Sequence, residues 1–394
     1  MILRRFPPMG VYETLFRFAE VTHAYMGDPG THPWAQGFPL TTPLPGGPAL
    51  PTRVDVGATD LKYPTATGQA PVRQAIARMY NDCYGSRLTE DHVALFAGGR
   101  PGIYATLALL EGGVTIAVEE TEYTPYLDML RLLELPYRLV PSNEANRFRP
   151  VLADYDVAPQ SGTSRVFLLK SNPTNPTGVA ATGDELGALV GRFSGAGRGA
   201  LFDEAYELFN DPAPDSAIRY VPDLDATDIF VVGAATKGFQ APGIRLGWVL
   251  AGRKHIELFR NFSSIAMGGV SRPSQLYAEQ LLAPDHVREA RRAVPAFYSA
   301  QRERYARGLA SLGLELFTGR GGFYHWAKLP GGLGATELNE RLFAHRAAIL
   351  PGRLCDMGRR DGVPSPLDRF IRFSFGPLAP ESYEADIAIL RACL

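Results

Sequence analysis

Short apolar runs alternate with amphipathic stretches through the middle of the chain. Residues 92–97, 114–118, 138–140, 166–169, 200–202, 229–233 and 248–251 form runs rich in Val, Ile, Leu and Phe. Most are apolar at consecutive positions, as in strands covered on both faces. Gly, Pro or Asn closes these runs and a helical period follows, which predicts an α/β domain built on a seven-stranded, mostly parallel sheet. From 284 to 312 the period is helical with charges on one face (REARR, QRERYAR), and Pro295 is expected to kink or divide the helix. Beyond it, strands are expected at 323–329, 348–350 and 370–375, with helices around 337–345 and 380–394, which makes a smaller α+β domain. The Pro/Gly-rich stretch 39–51 (PLTTPLPGGPALP) reads as a linker. The organisation expected is an arm over 1–47 packing on the small domain, a large domain over 48–283 and a small C-terminal domain over 284–394.

Composition narrows the function. A chain of 394 residues, 45% hydrophobic, is long enough for two to three domains and a sizeable core. Lys+Arg 40 against Asp+Glu 41 leaves a formal net charge of -1, so no basic excess favours nucleic acid. No apolar run reaches the length of a membrane-spanning helix, and the first ten residues (MILRRFPPMG) lack the apolar segment of a signal peptide, so a soluble cytoplasmic protein is expected. Three cysteines without CxxC spacing and seven histidines without HExxH give no reason to expect disulfides or a metal site. The lysines are Lys62, Lys170, Lys237, Lys254 and Lys328, so any lysine chemistry has five candidates.

Four segments carry candidate chemistry. Residues 171–178 (SNPTNPTG) place two Asn-Pro turns after the run VFLL, and 203–206 (DEAY) close the run ALF. Residues 234–248 (AATKGFQAPGIRLGW) put Lys237 just after IFVVG and Arg245 eight residues later, and 370–376 (FIRFSFG) hold Arg372 between apolar neighbours. In this order and at these distances, the segments resemble the class I/II aminotransferases, pyridoxal 5'-phosphate (PLP) enzymes of fold type I. The resemblance runs from Gly27 almost to the C-terminus.

That resemblance implies a role for each residue. Lys237 would form the Schiff base with the cofactor and then move the proton as general base and acid. Lys170, which also ends a strand, is its rival. Asp203 would sit against the pyridine nitrogen and keep it protonated, and Asn175 and Tyr206 would bond the phenolic oxygen. Gly99, in GGRPG between a strand and a helix, would help to form an anion site at the helix start, with Arg245 adding a fixed cation. Many relatives carry a phosphate-binding serine where this chain has Ala234, and Arg100 is expected to supply the missing donor. Tyr123 would stack on the cofactor ring, with Tyr126 as the alternative. Arg372 would pair with the substrate α-carboxylate, which Gly27, in YMGDPG, would also touch through its N–H.

Tyr63, in LKYPTATG, would reach the partner subunit's cofactor phosphate, implying a homodimer with shared active sites. Met267 aligns where relatives with dicarboxylic substrates carry a second arginine, which favours apolar or neutral donors; Arg272 is a possible substitute. Gln240 and the segment around Cys355 depart from common family patterns. The implied function is amino transfer between an L-amino acid and a 2-oxo acid by a ping-pong route. A lyase, cyclase, decarboxylase or oxidase of the same fold is the alternative, and a non-catalytic regulator the third reading.

Overall fold

The structure is a computed structural model that describes residues 2–3 and 10–394. Seven strands form the larger sheet: β1 (Val93–Phe96), β2 (Val114–Glu119), β3 (Tyr137–Val140), β4 (Arg165–Ser171), β5 (Arg198–Asp203), β6 (Ile229–Ala234) and β7 (Gly247–Leu250). Their order is β1-β7-β6-β5-β4-β2-β3. β7 runs antiparallel to both neighbours, and all other pairings are parallel. Every residue of β1, β2, β6 and β7 is buried. The continuous apolar runs follow from that cover, because no face of these strands meets water.

A second sheet holds β8 (Glu315–Leu316), β9 (Tyr324–Lys328), β10 (Leu350–Pro351) and β11 (Phe370–Ser374) in the antiparallel order β10-β11-β9-β8. Two expectations change here. The strand expected at 348–350 is centred later, at Leu350–Pro351, and the two-residue β8 carried no pattern long enough to read. The helix Pro284–Ser311 is a single 28-residue element that continues through Pro295. An interior proline costs about 3 kcal/mol. Burial of Ala290, Val294, Tyr298 and Tyr305 around it offsets that loss.

The N-terminal helix Val11–Thr22 packs by Phe18 against Phe343, in an apolar cluster with Trp326, Leu350 and Phe370 of the smaller sheet. The chain then returns across the sheet edges as a strap. Trp34 O accepts from Ser374 N at 2.8 Å and Leu40 N donates to Tyr298 Oη at 3.0 Å. Asp386, fully buried, gathers Trp34 Nε1 at 3.1 Å, Tyr305 Oη at 2.6 Å and the His32 ring at 2.7 Å, which fixes the strap to the C-terminal helix Tyr383–Cys393. Among the described residues, no helix is long and apolar enough to cross a membrane.

Candidate active site

The C-terminal ends of β1, β4, β5 and β6 lie on one edge of the larger sheet, and the turns that leave them carry Gly99, Asn175, Asp203 and Lys237. Ligands of open α/β sheets bind at such an edge. The turns close on a cavity of about 440 Å³, completed by Arg372 of β11 and by Gly37 of the strap.

Lys237 faces this cavity. Its Nζ donates to Gly37 O and stands 5.6 Å from the ring centre of Tyr206. Burial, aided by the nearby Arg372 and Arg100 charges, lowers its pKa to about 7. A lysine in that state exchanges protons near neutrality. Asp203 accepts from Tyr126 Oη at 2.9 Å and Ala205 N at 3.1 Å, while burial raises its pKa. Tyr206 Oη bonds Tyr324 Oη.

Arg372 is 1% exposed. Nη1 donates to Asn175 Oδ1 at 3.0 Å, Nη2 donates to Ala35 O at 2.7 Å, and the guanidinium lies 4.3 Å over the Tyr324 ring. Its Nε has no partner, and among the described residues no carboxylate pairs with it. A buried cation held by neutral groups is incomplete without an anion.

The opposite end of the cavity is built for a different anion. Gly98, at φ +102°, turns the chain from β1 into the helix Gly99–Ala108. A Cβ on Gly247 would come within 2.6 Å of Gly99 N, so glycine there lets β7 approach the turn. Gly99 and Arg100 of this helix start line the cavity together with Arg245 and Thr236, and the first N–H groups of a helix have no partner within it. Arg245 is fixed by Nη1 to Pro242 O at 3.0 Å and Nη2 to Ala97 O at 3.2 Å. Ala234 lines the cavity without a hydroxyl, and Thr236 supplies one two residues later. The Arg100 guanidinium stands by Tyr123 and Tyr12, whose phenols raise its pKa.

Of the residues expected at the site, Gly99, Arg100, Tyr123, Asn175, Asp203, Tyr206, Lys237, Arg245 and Arg372 all line this one cavity. Gly27 does not. It lies in an exposed turn with its N–H donated to Thr31 Oγ1 at 3.0 Å, and Gly37 occupies the cavity wall instead. Tyr63 is 96% exposed and does not line the cavity. Lys170 is buried in an ion pair with Glu119, donates to Thr174 at 3.2 Å and does not line the cavity. Tyr126 is committed to Asp203 and stands edge-on to Tyr123, leaving Tyr123 as the ring on the cavity wall. Gln240 Nε2 binds Leu40 O and Thr42 O, both at 2.7 Å, and so ties the strap to the lysine turn. Cys355 is buried with Sγ 3.7 Å from Thr124 Oγ1. Arg272 is held by Asp60 at 2.9 Å and Glu279 at 3.6 Å, while Met267 caps the helix Arg253–Ala266.

Sequence reading missed Gly37, Thr236, Tyr324 and a buried support. Glu122 accepts from Ser171 N at 2.7 Å, Ser171 Oγ at 2.7 Å and Tyr123 N at 2.5 Å, and Ser171 Oγ accepts from Asn175 N at 3.0 Å. One carboxylate thus positions both the Tyr123 and the Asn175 turns. The signals for the others were faint: a glycine two residues before Pro39, a hydroxyl next to Lys237, and an aromatic after Gly321-Gly322.

Residues 49–382 match the family described as aminotransferase class I and II. The chain belongs to that family. Its activity is that of a PLP-dependent aminotransferase. Among its relatives, LL-diaminopimelate aminotransferase of Dehalococcoides mccartyi is 27% identical over 302 residues, covering 74% of this chain and 75% of that one. Transaminase BacF of Bacillus subtilis is 27% identical over 332 residues, covering 78% and 80%. An aspartate aminotransferase of Thermus thermophilus, in a single-mutant structure, matches the fold with a TM-score of 0.80 at 20% identity, covering 100% of both chains.

The donor set fits PLP. A helix start with Arg245 suits its phosphate, the buried Asp203 suits its ring nitrogen, and the neutral-prone Lys237 suits its aldehyde.

Proposed function

We propose that this aminotransferase moves the amino group of an L-amino acid to a 2-oxo acid by a ping-pong route, with the roles of its residues as follows. Gly99 and Arg100, through their backbone N–H groups, Thr236 and Arg245 hold the cofactor phosphate. Asp203, oriented by Tyr126, faces the ring nitrogen. Tyr206 and Asn175 bond the phenolic oxygen, and Tyr123 covers the ring. Bound PLP supplies an aldehyde that receives the amino group and a ring that delocalises the electron pair left when the Cα proton departs. Lys237 takes that proton from Cα and later delivers one, a task suited to an amine whose pKa burial has brought to about 7.

Arg372 binds the α-carboxylate with its guanidinium fork, and Gly37 replaces Gly27 beside it. The unpaired, buried Arg372 is the observation that carries this reading, because it needs an anion brought by the substrate. Three further elements belong to the same proposal: a homodimer in which Tyr63 serves the partner's site, a cytoplasmic setting, and a division into arm, large and small domains near residues 48 and 284. The exposure of Tyr63, the three free cysteines and the two separate sheets support them in turn.

The test is the half-reaction. Holoenzyme given an amino acid alone is expected to release one equivalent of 2-oxo acid and stop in the pyridoxamine phosphate form. Continued product release without an acceptor would assign a lyase, decarboxylase or oxidase outcome instead.

A further inference from the structure

The cavity continues beyond the cofactor-binding residues into a groove between three helices. Val11, Tyr12 and Leu15 of the N-terminal helix form one wall; Ile103 of the helix Gly99–Ala108, with Met129 and Leu132 of the helix Pro125–Leu132, forms the other. Val11 and Leu15 are four residues apart and share a face, while Thr14 and Phe18 point into the protein. The N-terminal helix is seated closely. A Cβ on Gly10, at φ +58°, would stand 2.6 Å from Thr124 Cγ2. Glu13 pairs with Arg353, and Arg17 reaches Glu340 at 3.2 Å.

We propose that this groove receives the side chain of the amino donor and selects a large, flat apolar one, so that the preferred donor is an aromatic amino acid. This rests on the transamination reading above. Two apolar walls gain by burying a ring, and they would leave a side-chain carboxylate stripped of water. Asp128 also lines the groove, but its carboxylate is taken by Arg359 at 3.1 Å. Arg100 is the cation that an acidic donor would seek. Its guanidinium lies beside the Tyr12 and Tyr123 phenols, where its flat face can also cover a ring, so the choice between the two donor classes turns on the apolar walls.

The test uses PLP-loaded enzyme and two unreactive acids, 3-phenylpropionate and succinate, with binding read by calorimetry. Phenylpropionate is expected to bind at least about tenfold more tightly, the worth of one buried apolar side chain. Tyr12→Ala and Leu15→Asp should each reduce that ratio, with circular dichroism and cofactor absorbance verifying the fold. The ratio of phenylalanine to alanine as donors should fall in the same variants. Equal or tighter binding of succinate to the wild type overturns the proposal, as does a ratio that neither variant moves. A preference for phenylpropionate in an enzyme that transaminates no amino acid would overturn the transamination reading and leave the groove as assigned.

Discussion

Replacing Arg372 by alanine removes the cation on which substrate binding is expected to turn. The side chain is 1% exposed, bridges Asn175 and Ala35 at 3.0 and 2.7 Å, and has no carboxylate partner among the described residues. The substrate carboxylate would therefore lose its whole compensating charge rather than one contact of several. Truncating a buried charge partner costs about 2–5 kcal/mol, which lowers kcat/KM roughly 30- to several-thousand-fold. The loss should be similar for every amino acid and oxo acid, because each carries the same α-carboxylate. Arg372→Lys should fall between, since it keeps the charge but loses the planar fork. Steady-state kinetics with at least three donors, after cofactor content has been matched by absorbance, measures this. A loss below about threefold, or one confined to a single donor, would refute the pairing.

Three further outcomes follow from the same geometry. Mixing an inactive Tyr63→Ala protein with inactive Lys237→Ala protein should restore part of the activity if the sites are shared; proven subunit exchange without recovery would count against it. Lys237 has its folded pKa lowered to about 7 from 10.5. The unfolded chain therefore binds the extra proton between those values, and apoprotein stability rises with pH across that window. Lys237→Met should accordingly stabilise the apoprotein most at and below pH 7, with the advantage fading as pH approaches 10.5, read from denaturant midpoints. Thr236→Val should weaken PLP retention in dialysis, by about 1.5–3 kcal/mol for a hydrogen bond to a charged group, more than Arg100→Met does; the reverse ranking would return the phosphate donor to the Arg100 side chain.

All seven strands of the larger sheet were legible because their apolar runs are local and most are closed by a turn signal. The reversed direction of β7 was not, since a buried strand has the same composition either way. The division offered at Pro295 does not occur, because propensity is local, whereas the burial that carries the helix past it comes from distant chain. Lys237, Asp203 and Asn175, at or just after strand ends, and Arg372, inside β11, were legible as motif residues, and all four line the cavity. Gly37 was not, because only the fold brings it to Lys237, 200 residues away. The same applies to Tyr324, placed against Tyr206 and Arg372 by the packing of one sheet on another. Gly27 sits in a turn with a suitable sequence and the wrong surroundings: its N–H is already bonded to Thr31.

Borohydride reduction of the holoenzyme, followed by proteolysis and mass spectrometry of the modified peptide, reads which lysine holds the cofactor. A pyridoxyl group is expected on Lys237, the lysine that faces the cavity with Asp203, Tyr206 and Arg372. A modification on Lys170 or any other lysine, or none in an enzyme that turns over, would contradict it.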